Sequence, residues 1–272
     1  MAKLFPAEEN AEIAASLPYA LPSHNFTVAL KQFGVLLRLF LSEYRTLWFF
    51  YVFFVFVWPI SFIFFITTAT GSMSREQAIF VLGGNMATAI AFGPVFLLIT
   101  KIGAGRERHE FDYWSTLPMP GLVFVLALNL VALLLSLPGL ISAYLLAAFL
   151  LGIPLAGGLP FLLLMPLGAL PLAGLGALLG SYASDGQTAN VIANILTLVV
   201  GFLSPMLVRP EQLPLLLHVL AFFVPTTYVA DLFRAILGGQ TQLPPLLDLA
   251  IIIACSVVSL FLVQRKMDWR VV

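Results

Sequence analysis

The chain has 272 residues, of which 61% are hydrophobic and 10% charged, with 13 basic side chains balanced by 13 acidic ones. Soluble domains carry about a quarter charged residues, so the composition excludes a water-soluble fold. A mean hydropathy of +1.03 over the whole length calls for several membrane spans rather than a single anchor. Zero net charge leaves no overall field to draw nucleic acid or an acidic substrate. The one cysteine, Cys255, lies in an apolar run, cannot form an intrachain disulfide, and reads as packing.

Residues 1–25 contain Glu8, Glu9 and Glu12 without an apolar core, which reads as a tail and not as a secretory leader. In residues 26–45, Phe26, Leu30, Phe33, Leu37, Leu41 and Tyr44 recur at spacings of three or four and build one apolar helical stripe. Lys31, Arg38 and Arg45 repeat every seven residues on another face. Such a helix suits the membrane interface, with its basic side toward anionic headgroups; packing on a neighbouring protein is the alternative.

Residues 46–264 read as a six-helix transmembrane domain of an all-α membrane protein. Six segments approach the roughly 20 apolar residues that a bilayer requires: Leu47 to Thr68, Ala78 to Ile102, Leu122 to Leu151, Leu159 to Tyr182, Ala189 to Val208 and Leu246 to Gln264. Pro138-Gly139 predicts a kink in the third. Gly176 and Gly180 form a small-xxx-small pair in the fourth, which reads as close packing within the chain. Residues 209–245, broken by Pro210, Pro214, Pro225 and Gly238-Gly239, read as short helices that dip into the outer leaflet and return. The remaining 265–272 form a basic C-terminal tail.

Lys and Arg in short loops stay in the cytoplasm. With both termini inside, ten of the 13 basic residues are cytoplasmic, and only Arg75, Arg209 and Arg234 lie outside. This predicts a multi-pass protein of a bacterial plasma (inner) membrane with both ends on the inner side.

Chemistry is scarce. No Gly-Lys dipeptide occurs, so the phosphate-cradling GxxxxGK[ST] loop is absent. His109-Glu110 begins like a zinc helix, but Tyr113 stands where the second His would fall, so no metal ligands are assigned. Ser184-Asp185 has no histidine within plausible reach and reads as a cap on the following helix. The middles of the spans hold no ionisable side chain; Asn129, Asn190 and Asn194 either bond helix to helix or line a path. An ion-coupled secondary transporter or channel is therefore the second reading, and an intramembrane enzyme lacks its nucleophile or metal.

The loop of residues 105–118 mixes charges with Phe111, Tyr113 and Trp114 and closes at Pro118. It fits an interfacial anchor or a helix docked into a soluble partner, where aromatics and Arg act as hot spots. Arg106-Glu107-Arg108 followed by an acidic position at Asp112 and closure at Leu117-Pro118 resembles the cytoplasmic loop of type-2 ABC exporter permeases. That family reads Arg-Glu-Arg and then Gly-Thr-Leu-Glu; here His109-Glu110 replaces Gly-Thr. A longer ordered match, Phe202-Leu203-Ser204-Pro205, Pro210, Leu213-Pro214, then Pro225-Thr226-Thr227-Tyr228, Asp231 and Arg234, resembles the family's segment after the fifth span. The resemblance spans roughly Phe26 to Arg270.

The resemblance implies a homodimer bound to two copies of an ABC ATPase subunit, exporting a hydrophobic drug, a lipid or a lipid-linked glycan. It implies ATP and Mg in that partner and no cofactor in this chain. It places Arg106, Glu107, Arg108, Glu110, Phe111 and Asp112 at the ATPase contact. Pro225, Tyr228, Asp231 and Arg234 mark the outer motif, with Asp231 and Arg234, three apart, expected to form a local ion pair.

Overall fold

The computed structural model describes residues 26–46, 74–111, 120–151, 158–203 and 214–266, together with scattered positions between 48 and 68. Eight helices and no strand occur among the described residues. They are α1 (Phe26–Tyr44), α2 (Arg75–Glu107), α3 (Gly121–Leu151), α4 (Gly158–Tyr182), α5 (Gly186–Leu203), α6 (Leu215–Ala221), α7 (Pro225–Ile236) and α8 (Pro245–Lys266). The tail 1–25, most of the expected first span, Asp112 and residues 204–213 lie outside the described residues. Within the segment expected to be the first span, Phe53, Phe56, Val57, Ile60, Phe64 and Phe65 are helical and exposed.

Among the described residues, four helices are long and apolar enough to cross a membrane: α2, α3, α4 and α8. They coincide with the expected second, third, fourth and sixth spans. The fifth, α5, is described over 18 residues, as far as Leu203. The region read as re-entrant contains α6 and α7, joined by a bend of 81°.

α2 is the central element, packed against α3, α4, α5 and α7. Its start is fixed by a reciprocal cap: the Ser74 hydroxyl accepts from the Gln77 N–H at 3.3 Å, and the Gln77 side chain accepts from the Ser74 N–H at 3.1 Å. Glycine brings α4 against it. A Cβ on Gly176 would meet the Val95 carbonyl oxygen at 3.1 Å, and one on Gly180 would meet Ile99 backbone at 3.0 Å. The small-residue pair therefore serves packing within the chain. α3 continues as one helix through Pro138.

α1 packs on α3. Its most buried side chains are Leu36 and Phe40, and Phe40 meets the Phe124 ring edge-on at 5.4 Å. The stripe read from spacing lies on this packed face: Phe33, Leu37, Leu41 and Tyr44 are partly buried against the same cluster, whereas Leu30 is exposed. The apolar face is turned onto the chain's own helices because the Phe124 edge offers it an aromatic seat. Lys31, Arg38 and Arg45 are all exposed on the opposite side. A 2.7 Å ion pair from Lys101 of α2 to Glu43 fastens the end of α1.

Candidate functional site: two polar ends of an apolar bundle

The helices present two contrasting ends. The basic end collects Arg45, Lys101, the last turn of α2, the α4–α5 turn and the last turn of α8 with Arg265. The opposite end holds Arg75, the bent pair α6–α7 and the start of α8.

At the basic end, α2 stops at Arg108, whose N–H still donates to the Ala104 carbonyl. His109 follows with φ +56°, a left-handed conformation in which side chains are disfavoured and glycine is the usual occupant just past a helix end. The departure from the Gly-Thr pattern thus falls on the position that reverses the chain. The reversal lays Phe111 back against Gly105, where a Cβ would come within 2.9 Å of its ring, and against Phe124 at 5.9 Å. Phe111 is 5% exposed. Within this chain the ring gains more from this apolar seat than from water. Glu107, Arg108 and His109 are exposed, Arg106 and Glu110 are half-buried, and Arg108 reaches Glu110 at 3.7 Å.

Glu107 has a specific task inside the chain. Its carboxylate accepts a hydrogen bond from the Gly186 N–H at 2.9 Å, at the first residue of α5. One residue earlier, Asp185 accepts from the Thr188 N–H at 2.7 Å and from the hydroxyls of Ser184 at 2.7 Å and Thr188 at 3.0 Å. The Ser184-Asp185 pair is therefore a helix cap, as read from the sequence. Hydrogen bonds from the Ser184 hydroxyl, then the Thr188 N–H and hydroxyl, hold the Asp185 carboxyl below its ordinary value. Two carboxylates, one from each side, meet the positive end of α5.

At the opposite end, the Thr227 hydroxyl donates to the Ala221 carbonyl at 2.7 Å and the Tyr228 hydroxyl to the Phe222 carbonyl at 2.6 Å. These bonds staple the end of α6 to the start of α7, where Pro225 takes the first helical turn and needs no donor. The Thr-Tyr part of the motif is thereby a device for the bend. Asp231 and Arg234 form the expected ion pair at 2.8 Å, with side chains only 3% and 1% exposed. The Gln242 N–H also donates to Asp231 at 2.8 Å. The Arg234 guanidinium lies 3.6 Å from the centre of the Phe80 ring and bonds the Phe80 carbonyl at 3.3 Å. Gly83 on α2 makes room for it, since a Cβ there would meet Arg234 Cγ at 2.6 Å. A cavity of about 500 Å³ opens beside this pair, lined by Arg75, Glu76, Phe80, Gln240 and Gln242 among others.

Residues 31–237 match the family described as ABC-2 type transporter. The chain belongs to that family. This ABC-2 chain is thus a membrane-embedded permease subunit of an ABC transporter, and the matched region runs from α1 through the bent pair. A search of curated proteins finds no match.

In this ABC-2 permease one of the two readings of the α5 amides is narrowed, and one residue escaped the reading of the sequence. Asn190 and Asn194 bond neither helix to helix nor a neighbour: their amides donate to the carbonyls of Gly186 and Asn190, four residues back in α5, and both side chains are exposed. Asp248, four residues into α8, is fully buried. It is the third residue of the sixth apolar segment read from the sequence, and α4 and α7 pack on α8.

Proposed function

We propose that the ABC-2 permease works as a homodimer with two ABC ATPase subunits, as an ATP-driven exporter of a hydrophobic drug, a lipid or a lipid-linked glycan. The membrane is a bacterial plasma (inner) membrane, and the basic end, with both termini, faces the cytoplasm. ATP and Mg bind in the ATPase partner.

The observation that carries this reading is the bond from Glu107 to the first N–H of α5. It joins the loop that the partner would grip to a transmembrane helix, so a push on the loop becomes a displacement of α5. The exposed Arg108 and the half-buried Arg106 and Glu110 are then the contact residues, with Asp112 beyond them. Phe111 keeps the loop seated and Glu107 passes the movement on. Lys31, Arg38 and Arg45, exposed opposite the packed face of α1, would meet anionic headgroups at the same surface.

The homodimer is supported by α5. Its exposed face mixes Asn190 and Asn194 with Val191, Ile195 and Leu198. Amides facing hydrocarbon are costly, whereas a second permease or a cargo path would accommodate them.

The test is co-purification with an ABC ATPase from the same genome, followed by reversal of Arg106 and Arg108 to Glu. A stable complex that the reversals disrupt, with membrane insertion intact, is the expected outcome. Cargo flux driven by an ion gradient in vesicles holding the permease alone, or external labelling of residues 105–118, would overturn it.

A further inference from the structure

Asp248 lies in the first turn of α8. It is 0% exposed, and neither of its oxygens has a hydrogen-bond partner. The groups that could answer its charge can be named from the helices packed on α8, which are α3, α4 and α7. α3 has Tyr144 as its one ionisable side chain and α4 has Tyr182. α7 brings Tyr228, Asp231 and Arg234. Arg234 is engaged by Asp231, and the Tyr228 hydroxyl is donated to Phe222. On α8 itself, Cys255 is neutral packing, and Arg265 is 17 residues along, about 25 Å away at the helical rise. Among the described residues, the buried cluster therefore sets two carboxyl groups against one guanidinium.

A buried carboxylate without donor or counter-ion is too costly to persist. A bound metal ion would need several oxygens, and no group of three such side chains occurs among the described residues. We propose that Asp248 is a proton-binding site. While α7 and α8 are packed, one Asp248 oxygen forms an O–H bond with a proton taken from water. When the two helices part and water enters, the proton returns to it and leaves the carboxylate. Packing at this end is thus linked to one proton, independently of whether an ATPase drives the cycle.

The sign follows from that linkage. The neutral acid belongs to the packed state and the carboxylate to the hydrated one, so packing is full in acid and weakens as pH rises, by up to tenfold per pH unit in the packed-to-parted ratio. The test compares unfolding midpoints of the full chain in lipid nanodiscs from about pH 5 to about pH 8.5 for wild type and Asp248→Asn. The wild type should lose stability toward alkali while D248N, whose amide imitates the neutral acid, stays flat. Parallel profiles for wild type and D248N would overturn the proposal, as would alkaline stability restored by sodium but not potassium ions. Should D248N fail to fold, the wild-type chain still decides the matter by infrared spectroscopy. A protonated-carboxyl band should persist at about pH 6, where ordinary carboxyls are ionised, and its complete absence there would overturn the assignment.

Discussion

The two ends of the bundle are held by different kinds of interaction. At the opposite end, an ion pair with almost no exposure is braced by an aromatic ring, a backbone N–H and two hydroxyl staples around a sharp bend. At the basic end, the polar contacts are more open to water: Glu107 to Gly186, Lys101 to both oxygens of Glu43, and Arg108 to Glu110 at longer range. Buried polar networks cost much to break, and exposed bonds exchange readily with water. A part that must yield to a partner belongs at the end of low local stability, and that is where the loop following α2 lies.

The largest effect is expected from the buried pair. Replacing Arg234 by Leu leaves Asp231 buried without its counter-ion, and removal of one member of such a pair costs about 3–5 kcal/mol. The double variant Asp231→Asn with Arg234→Leu should recover a large part of that loss, which a double-mutant cycle on detergent-solubilised protein would measure. Equal losses in the single and double variants would make the pair a bystander. At the basic end, Glu107→Ala removes one exposed hydrogen bond and should cost only about 1 kcal/mol of stability. Under the coupling proposal it should nevertheless lower transport per ATP hydrolysed more than it lowers stability, and Glu107→Gln, which keeps an acceptor, should restore much of it. Smaller again is His109→Gly. Relief of the left-handed conformation should raise stability by about 1 kcal/mol at most, read as a higher unfolding midpoint.

How far the sequence speaks for the fold differs between these regions in the same way. Hydropathy located α2, α3, α4 and α8 because each apolar run is long; it placed α2 at Ala78 to Ile102, whereas the helix extends to Arg75–Glu107. The additional turns are polar and are kept helical by the Ser74 cap and the bonds around Arg108, which a hydropathy window does not register. The Asp231–Arg234 pair was legible because i and i+3 face one another on any helix. The burial of Phe111 and Phe40 was not, because their rings meet Phe124, an aromatic contributed by a different helix. Glu107 was read as a contact residue from its motif, while its bond runs to a residue 79 positions away. Asp248 needed the same kind of tertiary knowledge.

The smallest predicted effect sharpens the contrast between the ends through pH. Asp185 has its carboxyl held below the ordinary range by Ser184 and Thr188, so its cap on α5 stabilises fully above the usual carboxylate range and is lost as pH falls through the lowered value. It is an exposed cap, and solvent and salt weaken it. Acid should therefore loosen the start of α5, visible as faster amide hydrogen exchange at Gln187 and Thr188 after correction for the intrinsic pH dependence, and Asp185→Asn should remove that response. The proton site proposed at Asp248 responds in the reverse direction, loosening in alkali. Exchange at both places across one pH series would separate them: a single common trend would mean that the ends are mechanically one body, while opposite trends would show that each end carries its own electrostatic latch.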